Sequence, residues 1–255
     1  MYLVKMGSDL LNILGLSFIG SIAGLIGGAV FLVRKDWARV LGKYAVPFAA
    51  GVLLSVSILH LLPEAVSEYG EGAYLIVLIA LVGSFLFEQF FAQLHHHEHR
   101  MGTQLKATIP LVVVGDTIHN FIDGVAIAAS YLINPTFGLV VALATFLHET
   151  PHEIGDFGIL MSRGLSRGKT FMINFMSALA TFPGALVVYY LIPDSHEKIG
   201  GLLAVSAGVF LFLGASDFLP EVGVKEERRI VIKEIALLIL GVLLMYLLTG
   251  ITPEH

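Results

Sequence analysis

Apolar residues arrive in this chain as eight blocks separated by short polar interruptions, at roughly 10–33, 44–62, 73–94, 107–132, 137–162, 170–192, 199–220 and 233–251. Each block is close to the ~20 residues a helix needs to cross ~30 Å of hydrocarbon. The charged fraction is 14% and the hydrophobic fraction 56%, against about 25% charged in soluble domains. The expectation is an all-α integral membrane protein with eight transmembrane helices and no separate soluble domain.

The first block looks at first like a secretory signal. Its apolar run is about twice the usual length and ends in Arg34 and Lys35 rather than at a small-residue cleavage site, so it is expected to stay as the first span. It also presents Gly20, Gly24 and Gly28 at four-residue spacing, a face on which a second helix can pack closely. The absence of cysteine excludes a disulfide framework and thiolate metal ligands.

Cationic residues near span ends collect on the cytoplasmic side. Thirteen fall in the four alternate connections after spans one, three, five and seven, among them Arg34, Arg100, Arg163 and Arg228; only Lys5 and Lys198 lie on the other side. Both termini are therefore expected outside, in a cell membrane, the inner one if the cell is Gram-negative, with lipid as the surroundings and no nucleic-acid partner.

The polar residues within the spans constrain function most. An ionisable side chain near the bilayer centre costs at least ~2.5 to 3.5 kcal/mol on insertion scales, so a cluster needs an offsetting interaction. In FLHETPHEIGD, residues 146–156, the residues His148, Glu149, His152, Glu153 and Asp156 fall on one side of a helix, spread over about 140° at 100° per residue. In GDTIHNFIDG the residues Asp116, His119, Asn120 and Asp123 occupy an arc of about 100°. Two such stripes at matching depth can face one another and share a cation.

Imidazole nitrogen with carboxylate oxygen and no sulfur suits Zn²⁺ and other first-row divalent ions such as Fe²⁺ or Mn²⁺. His119, Asn120, Asp123, His148, Glu149 and His152 are the candidate ligands. Glu153 is a further one, able to serve a second metal or a bridge, and Asp116 and Asp156 are candidates for orienting ligands or lining the path. Pro151 removes the hydrogen bond to Leu147, so a kink is expected inside the cluster. His148, Glu149 and His152 also spell HExxH, the zinc-hydrolase signature. An intramembrane protease or hydrolase is thus the competing reading. The proline between the histidines and the surplus of carboxylates, which would fill the position a hydrolytic water requires, count against it.

HNFIDG followed by HETPHEIGD resembles the ZIP (Zrt-, Irt-like) family of divalent metal transporters, in the branch whose fifth span reads HExPHExGD. The resemblance implies uptake of Zn²⁺, or of Fe²⁺, Mn²⁺ or Cd²⁺, into the cytosol as substrate, with no organic cofactor. It also implies a binuclear site built from spans four and five, with help from spans two and six, and a homodimer. The same six residues become metal ligands by position, with Glu153 as an addition. The branch often has long extracellular and histidine-rich cytoplasmic segments, and their near absence here suggests a prokaryotic member.

HLLPE at 60–64 ends span two and DFLPE at 217–221 ends span seven. Opposite parity is what an inverted repeat of spans one to three and six to eight would produce, a 3+2+3 arrangement around the metal-binding pair; a proline and a solvated acid where a helix meets water is the alternative reading. His60 and Glu64 would lie near the outer mouth, Asp217 and Glu221 near the inner one, and Asn174 and Ser177 in span six would reach the centre. The run HHHEH supplies His95, His96, His97 and His99 in what reads as an inner loop, a candidate site for metal leaving the membrane. Alternating access is the expected mechanism, with a metal-selective channel as its rival.

Overall fold

The computed structural model describes residues 2–98, 104–192, 195–224 and 227–250. Among them there is no strand. The helices are α1 (Tyr2–Gly20), α2 (Ile26–Val33), α3 (Lys35–Val56), α4 (Leu62–Tyr69), α5 (Gly72–Glu98), α6 (Gln104–Ile133), α7 (Pro135–Ser162), α8 (Arg167–Ala178), α9 (Thr181–Leu191), α10 (His196–Phe212) and α11 (Arg228–Thr249). Each apolar block of the sequence is one of these helices or two joined end to end.

Seven helical stretches among the described residues are long and apolar enough to cross a membrane: Ser8–Val30, Lys43–Tyr69, Gly72–Phe90, Val112–Ile133, Arg167–Leu191, His196–Glu221 and Arg228–Thr249. The remaining block is α7, 28 residues long. Its polar run from His148 to Asp156 lowers its hydropathy, and burial rather than lipid contact accommodates that run: His148, Glu149, Glu153 and Asp156 are all buried. Asn134 starts α7 by accepting from the backbone N–H groups of Thr136 and Phe137, with Pro135 in the first turn, where a missing N–H costs nothing. Gly164, at φ 91°, turns the chain after its end.

The helices α6 and α7 pack on each other at the centre, with α1 and α2 against α7 and α8 and α9 against α6. Outside them, α3 pairs with α11, and α10 with α5 and α4. The scheme maps onto itself when blocks one, two, three and four are exchanged with six, seven, eight and five. Local irregularities follow the same exchange. A π-helical segment, Ser57–Leu61, precedes the LPE of block two, and another, Leu213–Phe218, precedes that of block seven. Blocks one and six each tighten to three-residue hydrogen bonding midway, from Gly24 to Ser21 in one and from Ala180 to Ser177 and Phe182 to Leu179 in the other. Pro183 has no N–H to offer the Leu179 carbonyl four residues back, which explains the second of these.

The small-residue face of the first block packs as its spacing suggests. A Cβ on Gly24 would lie 2.7 Å from Cβ of Glu149, and one on Gly27 would collide with the backbone oxygen of Thr150. Span one thus runs directly against the polar stretch of α7. By contrast α5 and α11 expose large apolar side chains such as Leu78, Phe85, Leu243 and Leu247, an outward surface suited to lipid.

One expectation changes. The histidine run does not begin as a loop, since α5 stays helical through His95, His96 and His97 to Glu98; the side chains of these residues, and His99 altogether, lie outside the described residues. The helix α7 is continuous across Pro151, so the proline is accommodated without ending it.

Gly27→Ala should lower thermal stability in detergent by about 1 to 3 kcal/mol, the usual range for overpacking, because a backbone atom cannot move aside. Gly15→Ala, with nothing within 4 Å of the new Cβ, should leave the melting temperature unchanged or slightly raised. Equal effects of the two would show that the close contact between span one and α7 is not made.

Candidate metal centre

The residues Asp116, His119, Asn120 and Asp123 occupy successive turns of α6, and His148, Glu149, His152, Glu153 and Asp156 do so on α7. Packing of α6 against α7 brings the two stripes face to face. His119 Nε2 lies 3.2 Å from His148 Nε2, 2.8 Å from Glu149 Oε1 and 3.6 Å from Asp123 Oδ2. His148 Nε2 lies 3.5 Å from Asp123 Oδ2 and 3.9 Å from Glu149 Oε1. Zinc bonds of ~2.0 to 2.1 Å at tetrahedral angles place neighbouring ligand atoms about 3.3 Å apart, and these five separations bracket that figure. All four residues are buried.

His148 Nδ1 is 2.9 Å from the Ala144 carbonyl. A carbonyl can only accept, so the ring donates from Nδ1 and turns its Nε2 lone pair into the group, as metal-binding imidazoles do. The carboxylates carry the complementary signal. Both oxygens of Asp123 and of Glu153, together with Oδ2 of Asp116 and Oδ2 of Asp156, are buried without a hydrogen-bond partner. Glu149 meets His119 only through the close contact above, which lacks hydrogen-bond alignment. No Lys or Arg whose side chain is described is buried, so among those no cation is at hand to offset these groups.

Two further sets adjoin the first. Asp116, His152 and Asp156 offer atoms within 4.8 Å of one another, and so do Asp116, Glu149 and Glu153. Within the former, His152 Nδ1 is 3.8 Å from Asp116 Oδ1 and from Asp156 Oδ2. Glu149 and Asp116 therefore connect the three sets. The two histidines of HExxH fall in different sets: His148 in the first and His152 in another.

The amide of Asn120 is engaged on both sides. Its nitrogen donates to Asp116 Oδ1 at 2.9 Å, and its oxygen faces the hydroxyls of Ser21 at 2.6 Å and Thr181 at 3.2 Å. Among the more distant candidates, His60 is buried and its Nε2 donates to the Met245 carbonyl at 3.0 Å, tying the π-helical segment to α11. Glu64 is half-buried on α4, while Asp217 and Glu221 are exposed. Asn174 donates to the Thr170 carbonyl of its own helix, and Ser177 lies 3.0 Å from the Thr117 hydroxyl on α6. None of these six belongs to the three close sets.

Residues with no sequence signal also shape the centre. Phe210 meets the rings of His119 and His148 edge-on, at 6.4 and 5.4 Å between centroids, and Phe218 stacks on His152 at 6.3 Å. Both come from block seven, whose sequence draws attention to Asp217 and Glu221 rather than to its aromatic rings.

A family profile described as ZIP zinc transporter matches residues 102–249. Similar proteins include zinc transporter ZIP10 of Danio rerio, 38% identical over 121 residues, which are 47% of this chain and 14% of that protein. Zinc transporter ZIP4 of Homo sapiens is 38% identical over 127 residues, 50% of this chain and 20% of that one. Zinc transporter zipt-7.2 of Caenorhabditis elegans is 33% identical over 149 residues, 56% of this chain and 32% of its own. The chain thus spans a third or less of the length of these relatives.

Calorimetry with Zn²⁺ in detergent should separate the centre from its surroundings. His148→Ala should weaken binding by more than the roughly 10- to 100-fold that loss of an outer partner costs a metal site, whereas His60→Ala should leave affinity within about twofold, since its ring is committed to a backbone carbonyl. Undiminished binding by His148→Ala would remove the assignment.

Proposed function

Because the chain belongs to the ZIP zinc transporter family, we propose that it carries divalent metal, zinc first among the candidates, across a cell membrane into the cytosol. The observation that carries this reading is the convergence of His119, Asp123, His148 and Glu149 at zinc-like spacing in the middle of the helices. The relatives named as zinc transporters support the choice of ion, and Fe²⁺, Mn²⁺ and Cd²⁺ fit the same donors.

The site is binuclear in this reading. Metal-bound imidazoles are neutral, so Asp116, Asp123, Glu149, Glu153 and Asp156 together bring five negative charges; one dication leaves three of them and two leave one. His119, Asp123, His148 and Glu149 hold the first ion. Glu149, His152 and Glu153, with Asn120, Asp116 and Asp156 beside them, serve the second and the path toward the cytosol. Protons compete with metal for all of these groups, which assists release.

Eight crossings in a 3+2+3 arrangement place the paired π-helical segments and tightened turns in matching positions of two inverted halves. Both termini lie outside, as the distribution of Arg and Lys supports. Alternating access then moves the pair α6 and α7 relative to a frame containing α3, α5, α10 and α11. The apolar faces of α5 and α11 meet lipid and, as the resemblance implies, a second copy of the chain. A hydrolase reading is disfavoured by the separation of His148 from His152, since HExxH chemistry needs both on one ion.

Purified protein in liposomes should accumulate radioactive zinc with saturation at low concentration, and Asp123→Ala should lower the initial rate by more than about tenfold. Absence of uptake by the unsubstituted protein would overturn the transport reading. Since the chain has no cysteine, orientation can be read directly: Lys198→Cys should react with an impermeant maleimide added to intact cells, and Arg163→Cys only after permeabilisation. The reverse pattern would invert the proposed topology.

A further inference from the structure

Asn120 joins three segments that are far apart in sequence. It is fully buried, and its amide nitrogen lies 2.9 Å from Asp116 Oδ1 and 3.1 Å from the Asp116 backbone oxygen. An ionised carboxylate and a carbonyl only accept, so the nitrogen must face them and the oxygen must face the other way. There it meets Ser21 Oγ at 2.6 Å and Thr181 Oγ1 at 3.2 Å. Each hydroxyl has one proton, and each also lies 3.0 Å from the Ala178 carbonyl. Two protons therefore serve two acceptors. The distances give the Ser21 proton to Asn120 and the Thr181 proton to Ala178, leaving one lone pair of the Asn120 oxygen without a donor.

On the transport reading above, we propose that Ser21 is a positioning residue for the metal path: its hydroxyl holds the Asn120 oxygen, which turns the Asn120 amino group onto Asp116 and fixes that carboxylate among the ligands. Asp116 is the residue to fix, because it belongs to two of the three close sets while its second oxygen remains buried and unpartnered. A carboxylate held at one oxygen presents the other in a set direction; one left free swings and lowers affinity for both sets. The backbone serves the same end. Ser21 stands where block one tightens, and Gly20 beside it lets that block approach, since a Cβ there would sit 2.9 Å from Ile127 of α6. Ser17, one turn earlier, is equally buried, and its hydroxyl has no hydrogen-bond partner, which makes it the matched control.

The test is a double-mutant cycle read in two ways, by zinc affinity in calorimetry and by KM against maximal rate for uptake into liposomes. Ser21→Ala should raise Kd and KM about tenfold, the lower end of outer-partner effects, with a smaller change in maximal rate; Ser17→Ala should not. Ser21→Thr, which keeps the hydroxyl, should recover much of the loss. On an Asn120→Ala background, or on Asn120→Leu if alanine lowers the folded yield, Ser21→Ala should have no further effect. Fold-changes that multiply in the double variant, or equal losses for Ser21→Ala and Ser17→Ala, would overturn the proposal. Protein that binds zinc without carrying it would sink the transport reading, and the cycle in affinity would still decide the role of Ser21.

Discussion

Everything else in this fold answers to the desolvation of carboxylates. Five of them, Asp116, Asp123, Glu149, Glu153 and Asp156, are buried in the central helix pair with three imidazoles beside them. Even if every imidazole carried a proton, two negative charges would remain, and no Lys or Arg whose side chain is described is buried to meet them. Protons on the carboxylates are one remedy. A divalent cation is a better one, since it removes two charges at once and also uses the lone pairs that the histidines turn inward. The unpartnered oxygens are what a site able to hold such a cation would present.

That demand dictates where α6 and α7 can lie. A helix carrying such a stripe cannot face lipid, so both are enclosed: α7 by α1, α2 and α3, and α6 by α8, α9 and α10. Enclosure at this closeness requires neighbours without side chains at the crossing points. Gly24 and Gly27 provide this against α7, while Gly124 and Gly184 provide it between α6 and α9, where an added Cβ would collide with the backbone oxygens of Thr181 and Phe121 respectively. Dispersion contacts between closely approached backbones replace the hydrophobic drive that lipid removes. The apolar α5 and α11 have no comparable constraint and take the periphery.

Much of this was legible in the sequence. Periodicity assigns an angle to each residue on its helix, so the two polar stripes and the glycine face of block one were readable before any packing was known. Periodicity does not assign partners. Ser21 meets Asn120 from 99 residues away, and His60 meets the Met245 carbonyl across 185; neither pairing leaves a local trace. The same limit explains Phe210 and Phe218, which look like ordinary apolar residues until α10 is seen to lie over the imidazoles. The polarity of the histidine run points to a loop, yet α5 continues through His97, since local polarity does not by itself end a helix.

The letters HExxH show why position in space, rather than spacing along a helix, decides chemistry. In a zinc hydrolase the two histidines of the motif bind one ion and the glutamate is left to handle water. Here His119 of α6 occupies the place beside His148 that His152 would have taken, and Glu149 is drawn into contact with His119. His152 is released to Asp116 and Asp156. The general base thereby becomes a bridge between neighbouring sets, and the second histidine becomes part of a later one. On the transport reading, a row of overlapping sets with shared members suits passage better than one isolated site. Glu149 belongs both to the set of His119, Asp123 and His148 and to that of Asp116 and Glu153, and Asp116 belongs in turn to the set of His152 and Asp156, so the three sets form one continuous row. Tightened turns and π-helical segments occur in the four blocks that flank this row, while α5 and α11 at the periphery run as unbroken helices. Helices with local irregularities change register or bend at lower energetic cost than regular ones. The irregular blocks are the ones that make the main contacts with the central pair, and the regular ones stand farther out.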